Sequence, residues 1–410
     1  MSEMRRDSPY PMVSVDEAHR LIAANLSLLP TEEMSALEAF GWVLAQDVYA
    51  PEDMPDLPKS AMDGYALIAS DGIAPRRVLA ELTAGNRQDI RLEPGTAARI
   101  MTGAPLPAGA DAVVIVEQTH ERDGILTIDQ APVVGQYIQS VGQDIARGTL
   151  VLAKGTPLGA AEIGLLATVG QTRIQVYRRP RVAVLATGDE VVEPDAPSAP
   201  GIIRDSNRYA LMAAVREAGG IPISLGIARD DQTTQRQAIL SGLEQADLVL
   251  TSGGVSMGTR DLIKPILAEL GTVHFGRIAY KPGKPTTFAT VNGKIVFGLP
   301  GFPVSSLVSF EVFVRPTLRR LQGDRNPERP RVRVRLHEQI KPAPDRPEYQ
   351  RVQIAWRDGQ LVATSTGIQN SSRLLSLRGA NGLLIVPPGE SPYPAGSELE
   401  ALLTGPLFTA

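Results

Sequence analysis

Between Ser14 and Leu26 apolar residues return at Ala18, Leu21, Ile22 and Leu26, a spacing of three and four that lines one face of a helix. Ser14 and Glu17 stand ahead of it as a capping-box pair. A second short helix is predicted over residues 31–41, with Gly41 as its terminator. The texture then changes. Residues 51–141 read as short strands, at Arg76–Leu82, 97–102 and 112–116, separated by Pro and Gly turns, with Asp123-Gly124 as a hairpin signal. A helical pattern returns at 160–168. From residue 179 strands and helices alternate: strands at 181–186, 221–227, 247–251, 272–279 and 294–299, helices at 207–218, 233–246, 260–270 and 304–321. The polar stretch 323–330 reads as a linker. After it come strands at 331–336, 351–356, 360–365 and 382–386, with Asp358-Gly359 as a turn.

These textures divide the chain into four: a helical arm from residues 1–50 plus 142–178, an inserted β-rich module at 51–141, an α/β domain at 179–326 and a small C-terminal β domain at 327–410. The fold class is therefore α/β multidomain, its central sheet mostly parallel because strand–helix alternation builds parallel βα units.

Composition narrows the chemistry. The 410 residues include no cysteine, which excludes disulfides, thiolate nucleophiles and iron–sulfur or zinc–thiolate sites. The four histidines are scattered and never at ligand spacing, so a working metal would take oxygen ligands, which favours magnesium. A net charge of -4 gives no positive field for nucleic acid or acidic membrane, and any anion must be held by local groups. No stretch reaches about 18 apolar residues, the length of a membrane span. The first seven residues, MSEMRRD, lead into no apolar signal region, so a cytoplasmic protein is expected.

In a parallel sheet the carboxyl ends of the strands share one edge, and ligands bind there. Four such corners carry polar or glycine-rich endings: Thr187–Glu190, Ala228–Asp231, Ser252–Asp261 and Lys281–Pro285. Gly253 and Gly254 permit close approach of backbone N–H groups to an anion. Lys281 and Lys284 sit on a loop stiffened by Pro282 and Pro285 and suit an oxyanion or phosphate. Glu190, Asp230 and Asp261 are carboxylates of the kind that hold magnesium against a phosphoanhydride. Each has an ordinary structural reading as well. Gly253-Gly254 fits a turn, and Asp230 and Asp231 fit the acidic start of a helix. Ser60–Ala66 and Met101–Pro107 in the β module read, on chemistry alone, as turns.

Taken in order, Ser60–Ala66, Met101–Pro107, Ala186–Glu190, Ser252–Asp261, Lys281–Pro285 and Leu299–Pro303 resemble the molybdopterin molybdenumtransferase family (MoeA type), which is similar to the E domain of gephyrin. The resemblance covers essentially the whole chain. It implies an elongated homodimer with the active site in a cleft between the α/β domain of one subunit and parts of the other. It implies that molybdate and adenylylated molybdopterin become molybdenum cofactor, with AMP released and Mg2+ assisting. Molybdopterin adenylyltransferase is implied as a partner. By motif, Asp63, Thr102, Asp144, Glu190 and Ser256 are implied as catalytic. Gly253, Gly254, Lys281, Lys284, Pro285, Ser305, Arg351 and Ser371 are implied to bind molybdate or the pterin phosphate, and Asp230 and Asp261 to hold the cation. One departure stands out: the family usually has Leu-Pro-Gly-Asn-Pro, and Phe302 replaces the amide here. Two alternative readings share the architecture: an adenylyltransferase, which would resemble the α/β block alone, and a scaffold that has lost its chemistry.

Overall fold

The computed structural model describes residues 12–85, 89–255 and 262–409. Among these, no helix is long and apolar enough to cross a membrane.

At the centre lies a six-stranded sheet in the order Ile221–Ala228, Arg181–Thr187, Leu248–Ser252, Lys294–Leu299, Thr287–Val291, Thr272–Phe275. The first four strands run parallel, Thr287–Val291 is antiparallel to Lys294–Leu299, and Thr272–Phe275 is antiparallel to Thr287–Val291. Arg181–Thr187, Leu248–Ser252 and Lys294–Leu299 are buried over almost their whole length because both faces are covered there, whereas the edge strand Ile221–Ala228 is half-exposed. On one face, the helix α1 (Val15–Ala24) buries Ala18 and Ile22 in the same cluster as Val182, Val184, Leu248 and Phe313. On the other, Ile239 and Leu243 of Gln232–Gln245 and Ile263, Ile266 and Leu267 of Ile263–Leu270 pack on Ala183, Leu185 and Val249. The first helix, expected in the arm, thus docks on the central domain. The strand Thr287–Val291 was not foreseen. Its hairpin partner begins after Asn292-Gly293, which take φ of 50° and 75° as such a turn requires.

Residues 303–321 form the expected long helical segment with an interruption: α-helix at Pro303–Ser309 and Arg315–Leu321, and a π-helical stretch at Phe310–Val314. Pro316 has no N–H to donate to the preceding turn, which accounts for the change of hydrogen-bond pattern there.

The inserted module is a six-stranded sheet, with the expected hairpin at Asp123-Gly124. In the arm, residues 31–41 are a correction. Thr31–Ser35 is a strand paired with Arg173–Tyr177, followed by a 3-10 turn at Ala36–Glu38. Cross-strand pairing sets Met34 beside Ile174 and against the arm's core, and that tertiary contact overrides the helical preference of the segment. The arm's one α-helix after residue 30, among the described residues, is Ala160–Thr168. The C-terminal strands close into a small barrel. Arg331–Leu336 pairs with Gln360–Ser365 and Glu398–Leu403, Gly382–Val386 links the latter to Glu348–Arg357, and that strand returns to Gln360–Ser365.

Candidate functional site

The carboxyl edge of the central sheet opens into a cavity of about 430 Å3. Its floor is the end of Arg181–Thr187 with Gly188, the end of Leu248–Ser252 with Gly253 and Gly254, and the Pro300–Pro303 turn after Lys294–Leu299. Glu190 and Asp230 bring carboxylates to it, and Pro285 reaches it from the lysine loop. The convergence predicted from strand–helix alternation is therefore seen for Glu190, Asp230, Gly253, Gly254 and Pro285. Ser256 and Asp261 lie outside the described residues.

Close packing shapes the glycine corner. Gly253 has φ +102°, and a Cβ there would stand 2.7 Å from the Thr187 hydroxyl oxygen and 2.9 Å from its carbonyl oxygen. Asp230 is fixed from both sides: its N–H donates to Asp189 Oδ1 at 3.1 Å, and Gln235 Nε2 donates to its Oδ1 at 3.3 Å.

Sequence reasoning passed over a further wall, Ile203 to Asn207. Asn207 opens the helix Asn207–Glu217, and its Nδ2 donates to Ser252 Oγ at 2.8 Å and to the Gly301 carbonyl at 2.7 Å. One amide thus ties three corners of the cavity together. Asp205, buried beside it, accepts from Arg208 Nε at 2.7 Å, and Arg208 also binds Glu193. The signal available in the sequence was a Ser-Asn pair at a helix start, but that pattern serves capping more often than ligand binding. Phe302 lies on the cavity rim with 59% of its surface exposed, at the N-cap of Pro303–Ser309, where no side chain caps the helix.

A second crevice of about 620 Å3 lies between the central domain and the barrel. Lys281 lines it, with Lys341, Arg346, Glu348, Gln350, Ser365 and others from the barrel. Lys281 Nζ stands 3.0 Å from Glu348 Oε1. Backbone bonds join the two segments, Lys281 N–H to the Pro347 carbonyl at 2.9 Å and Tyr349 N–H to the Lys281 carbonyl at 2.7 Å. The lysine loop therefore separates the two hollows, with Pro285 on one and Lys281 on the other. Lys284 is exposed, and among the described residues no carboxylate pairs with its amine.

Arg351 is fully buried. Its Nε donates to Ser376 Oγ at 3.1 Å and its Nη2 to the Asn370 carbonyl at 3.3 Å, while Nη1 has no partner. Burial pushes its guanidinium down to about 10, partly opposed by the charge of Glu348, so it stays protonated at neutral pH. Ser305 is buried in the first turn of Pro303–Ser309. The Ser371 carbonyl accepts from Val304 N–H at 3.1 Å, which sets the barrel's 366–378 loop against that helix start.

Asp63 and Thr102 meet. The Thr102 N–H and hydroxyl both donate to Asp63 Oδ1 at 2.7 Å, and these bonds, the backbone one first, hold the Asp63 carboxyl below the usual range. Asp144 is exposed, its N–H donating to the Met54 carbonyl at 3.0 Å. None of these three lines the cavity that holds Glu190 and Asp230, and no residue of the inserted module does. Among the described residues no three potential ligands cluster as a metal site.

Residues 13–170 match the MoeA N-terminal region (domain I and II), residues 183–320 a domain described as "Probable molybdopterin binding domain", and residues 333–404 the MoeA C-terminal region (domain IV). The chain is 36% identical to gephyrin of Dictyostelium discoideum over 98% of its own length, spanning 64% of that longer protein. It is 37% identical to the molybdopterin molybdenumtransferase of Nostoc sp., over 96% of this chain and 94% of that one. The solved structure of a molybdopterin biosynthesis MoeA protein from Pyrococcus horikosii superimposes with a TM-score of 0.82, at 32% identity, over 97% of this chain and 100% of the other.

Proposed function

The chain belongs to the MoeA family of molybdopterin molybdenumtransferases, enzymes of molybdenum cofactor biosynthesis, and on that premise we propose that it inserts molybdate-derived molybdenum into adenylylated molybdopterin and releases AMP. The observation that carries this reading is the cavity where Glu190, Asp230, Gly253 and Gly254 converge, beside a loop that presents Lys281 to a second crevice. Hollows of this size hold small organic ligands, and the two together suit a substrate with an adenylyl group at one end and an oxyanion acceptor at the other.

In this reading the adenylyl phosphate lies over Gly253 and Gly254, whose small size admits a close approach to backbone. The oxyanion pocket is assigned to Lys281, Lys284, Pro285, Ser305, Arg351 and Ser371, with Lys281, Lys284 and Arg351 as its cations. Glu190 and Asp230 offer the oxygen donors that magnesium takes, and Asp261 is assigned with Asp230 as its ligand. The cation supplies charge neutralisation to phosphate oxygens when bound. Most of the rate comes from positioning and fixed electrostatics, since the chain has no cysteine and no side chain is assigned a covalent role.

Asp63, Thr102 and Asp144 act from the inserted module of a second copy, so the working unit is a homodimer. A place in the cytoplasm and an encounter with molybdopterin adenylyltransferase, which would deliver the adenylylated pterin, belong to the same proposal. A chain that only adenylylates pterin would need the central domain alone, whereas arm, insert and barrel are present here and match the family. The test is AMP release from adenylylated molybdopterin with magnesium, with and without molybdate. Molybdate-dependent release with active cofactor as product is expected, and a folded protein that releases no AMP in either condition overturns the reading.

A further inference from the structure

We propose that Glu348 is the resident counter-ion of Lys281 and that its charge opposes an incoming oxyanion, so that this barrel residue sets how tightly the pocket holds its ligand. The inference rests on the reading of Lys281 and Arg351 as oxyanion-binding groups. Glu348 has only 4% of its side chain exposed, and both its oxygens are held: Oε1 faces Lys281 Nζ at 3.0 Å, and Oε2 accepts from Gln350 Nε2 at 3.1 Å. A buried carboxylate without such partners would be strongly penalised, so the pairing with Lys281 is built into the fold. Lys281 itself keeps 46% of its side chain exposed, toward the crevice it lines. An ammonium has three donors, and one contact to Glu348 leaves two for a ligand. Arg351, buried with an unpartnered Nη1, also feels the Glu348 charge. A single carboxylate therefore acts on two of the three cations to which the oxyanion is assigned, Lys281 and Arg351.

The sign of the effect follows from magnitudes. A dianion beside Lys281, about 6 Å from the carboxylate and in a water-filled crevice, is repelled enough to weaken binding about tenfold. Against this, Glu348 orders Lys281 in advance. Half-exposed lysine pairs hold little order, and the bound anion orders the amine in any case, so repulsion dominates. Glu348→Gln preserves shape and polarity while removing the charge.

The experiment is calorimetric titration of molybdate, and separately of sulfate, into the full-length wild type, E348Q, E348D, K281A and the E348Q/K281A double variant. E348Q is expected to bind both dianions about tenfold more tightly, E348D to show no gain, and the gain to shrink in the K281A background. General structural damage weakens binding, so a gain in affinity separates a charge effect from misfolding. E348Q binding as wild type or more weakly, with an unchanged thermal midpoint, overturns the proposal and leaves the pocket in place. K281A binding molybdate as tightly as wild type overturns the pocket reading itself, and the proposal with it.

Discussion

At the scale of single residues, the lysine loop depends on Gly283. The residue has φ +123°, and a Cβ would stand 2.0 Å from Tyr280 Oη and 2.7 Å from Ser309 Oγ. Those hydroxyls belong to a buried cluster in which Tyr280 and Ser309 lie 2.6 Å apart and Thr286 donates to the Gly283 carbonyl at 2.7 Å. Gly283→Ala must push the loop off this cluster. It is expected to cost about 1–3 kcal/mol in denaturant titration and to cut molybdate-dependent AMP release about tenfold or more, because misplaced lysines no longer meet the oxyanion. Phe302 leads to the opposite kind of prediction. It occupies an N-cap with no side-chain acceptor, and its ring is largely exposed. Phe302→Asn is expected to raise stability by about 1 kcal/mol, read from the denaturant midpoint, by supplying the missing cap. At this scale the sequence picked out by type residues that the structure brings to the two hollows, such as Gly253, Asp230 and Lys281. It concealed Asn207 and Glu348. Their roles come from partners distant in the chain, Ser252 and Gly301 for one and Lys281 for the other, and no local pattern marks such pairs.

At the scale of elements, strong periodicity read well and weak periodicity did not. The apolar strands Arg181–Thr187, Leu248–Ser252 and Lys294–Leu299 were visible because a doubly covered sheet demands unbroken apolar runs. Thr287–Val291 was missed although Asn292-Gly293 announced its hairpin, and residues 31–41 were misread because pairing with Arg173–Tyr177 decides their conformation. The first helix was legible through its cap, where the Ser14 hydroxyl accepts from Glu17 N–H at 3.1 Å, but its docking partner was not. That docking carries a pH dependence. His19 packs against Phe313 with ring centroids 5.1 Å apart, and burial, helped by Arg320, lowers its pKa from 6.5 to about 4. The folded chain thus favours neutral His19, and between these two values the unfolded chain binds the proton. Stability from this group is full above the unfolded value and declines as pH falls through the window. By pH 5 the loss is about 2 kcal/mol. Urea titrations of wild type and His19→Gln at pH 7.5 and 5 should show the wild type losing that much more than the variant. Equal losses would mean that the helix does not shield the imidazole.

At the scale of the whole molecule, the sequence conveyed the central sheet and the edge on which its cavity opens, because strand–helix alternation fixes where that edge lies. It conveyed less about which chain supplies each group. Asp63 and Thr102 are locked together and Asp144 is exposed, yet none lines the cavity that holds Glu190 and Asp230. A site made within one chain would leave the first three residues remote from the chemistry. A site made between two copies gives them work, and the two arrangements differ in a measurable way. Asp63→Asn and Asp230→Asn should each abolish molybdate-dependent AMP release. Mixed in equal amounts and allowed to exchange subunits, half of the dimers become mixed. In each mixed dimer one site carries both lesions and the other carries neither. The mixture should therefore recover about one quarter of wild-type activity. If both groups served a site within one chain, every chain would still carry a lesion and mixing would restore nothing. Recovery that appears only after subunit exchange would assign Asp63 and Asp230 to one site built from two chains.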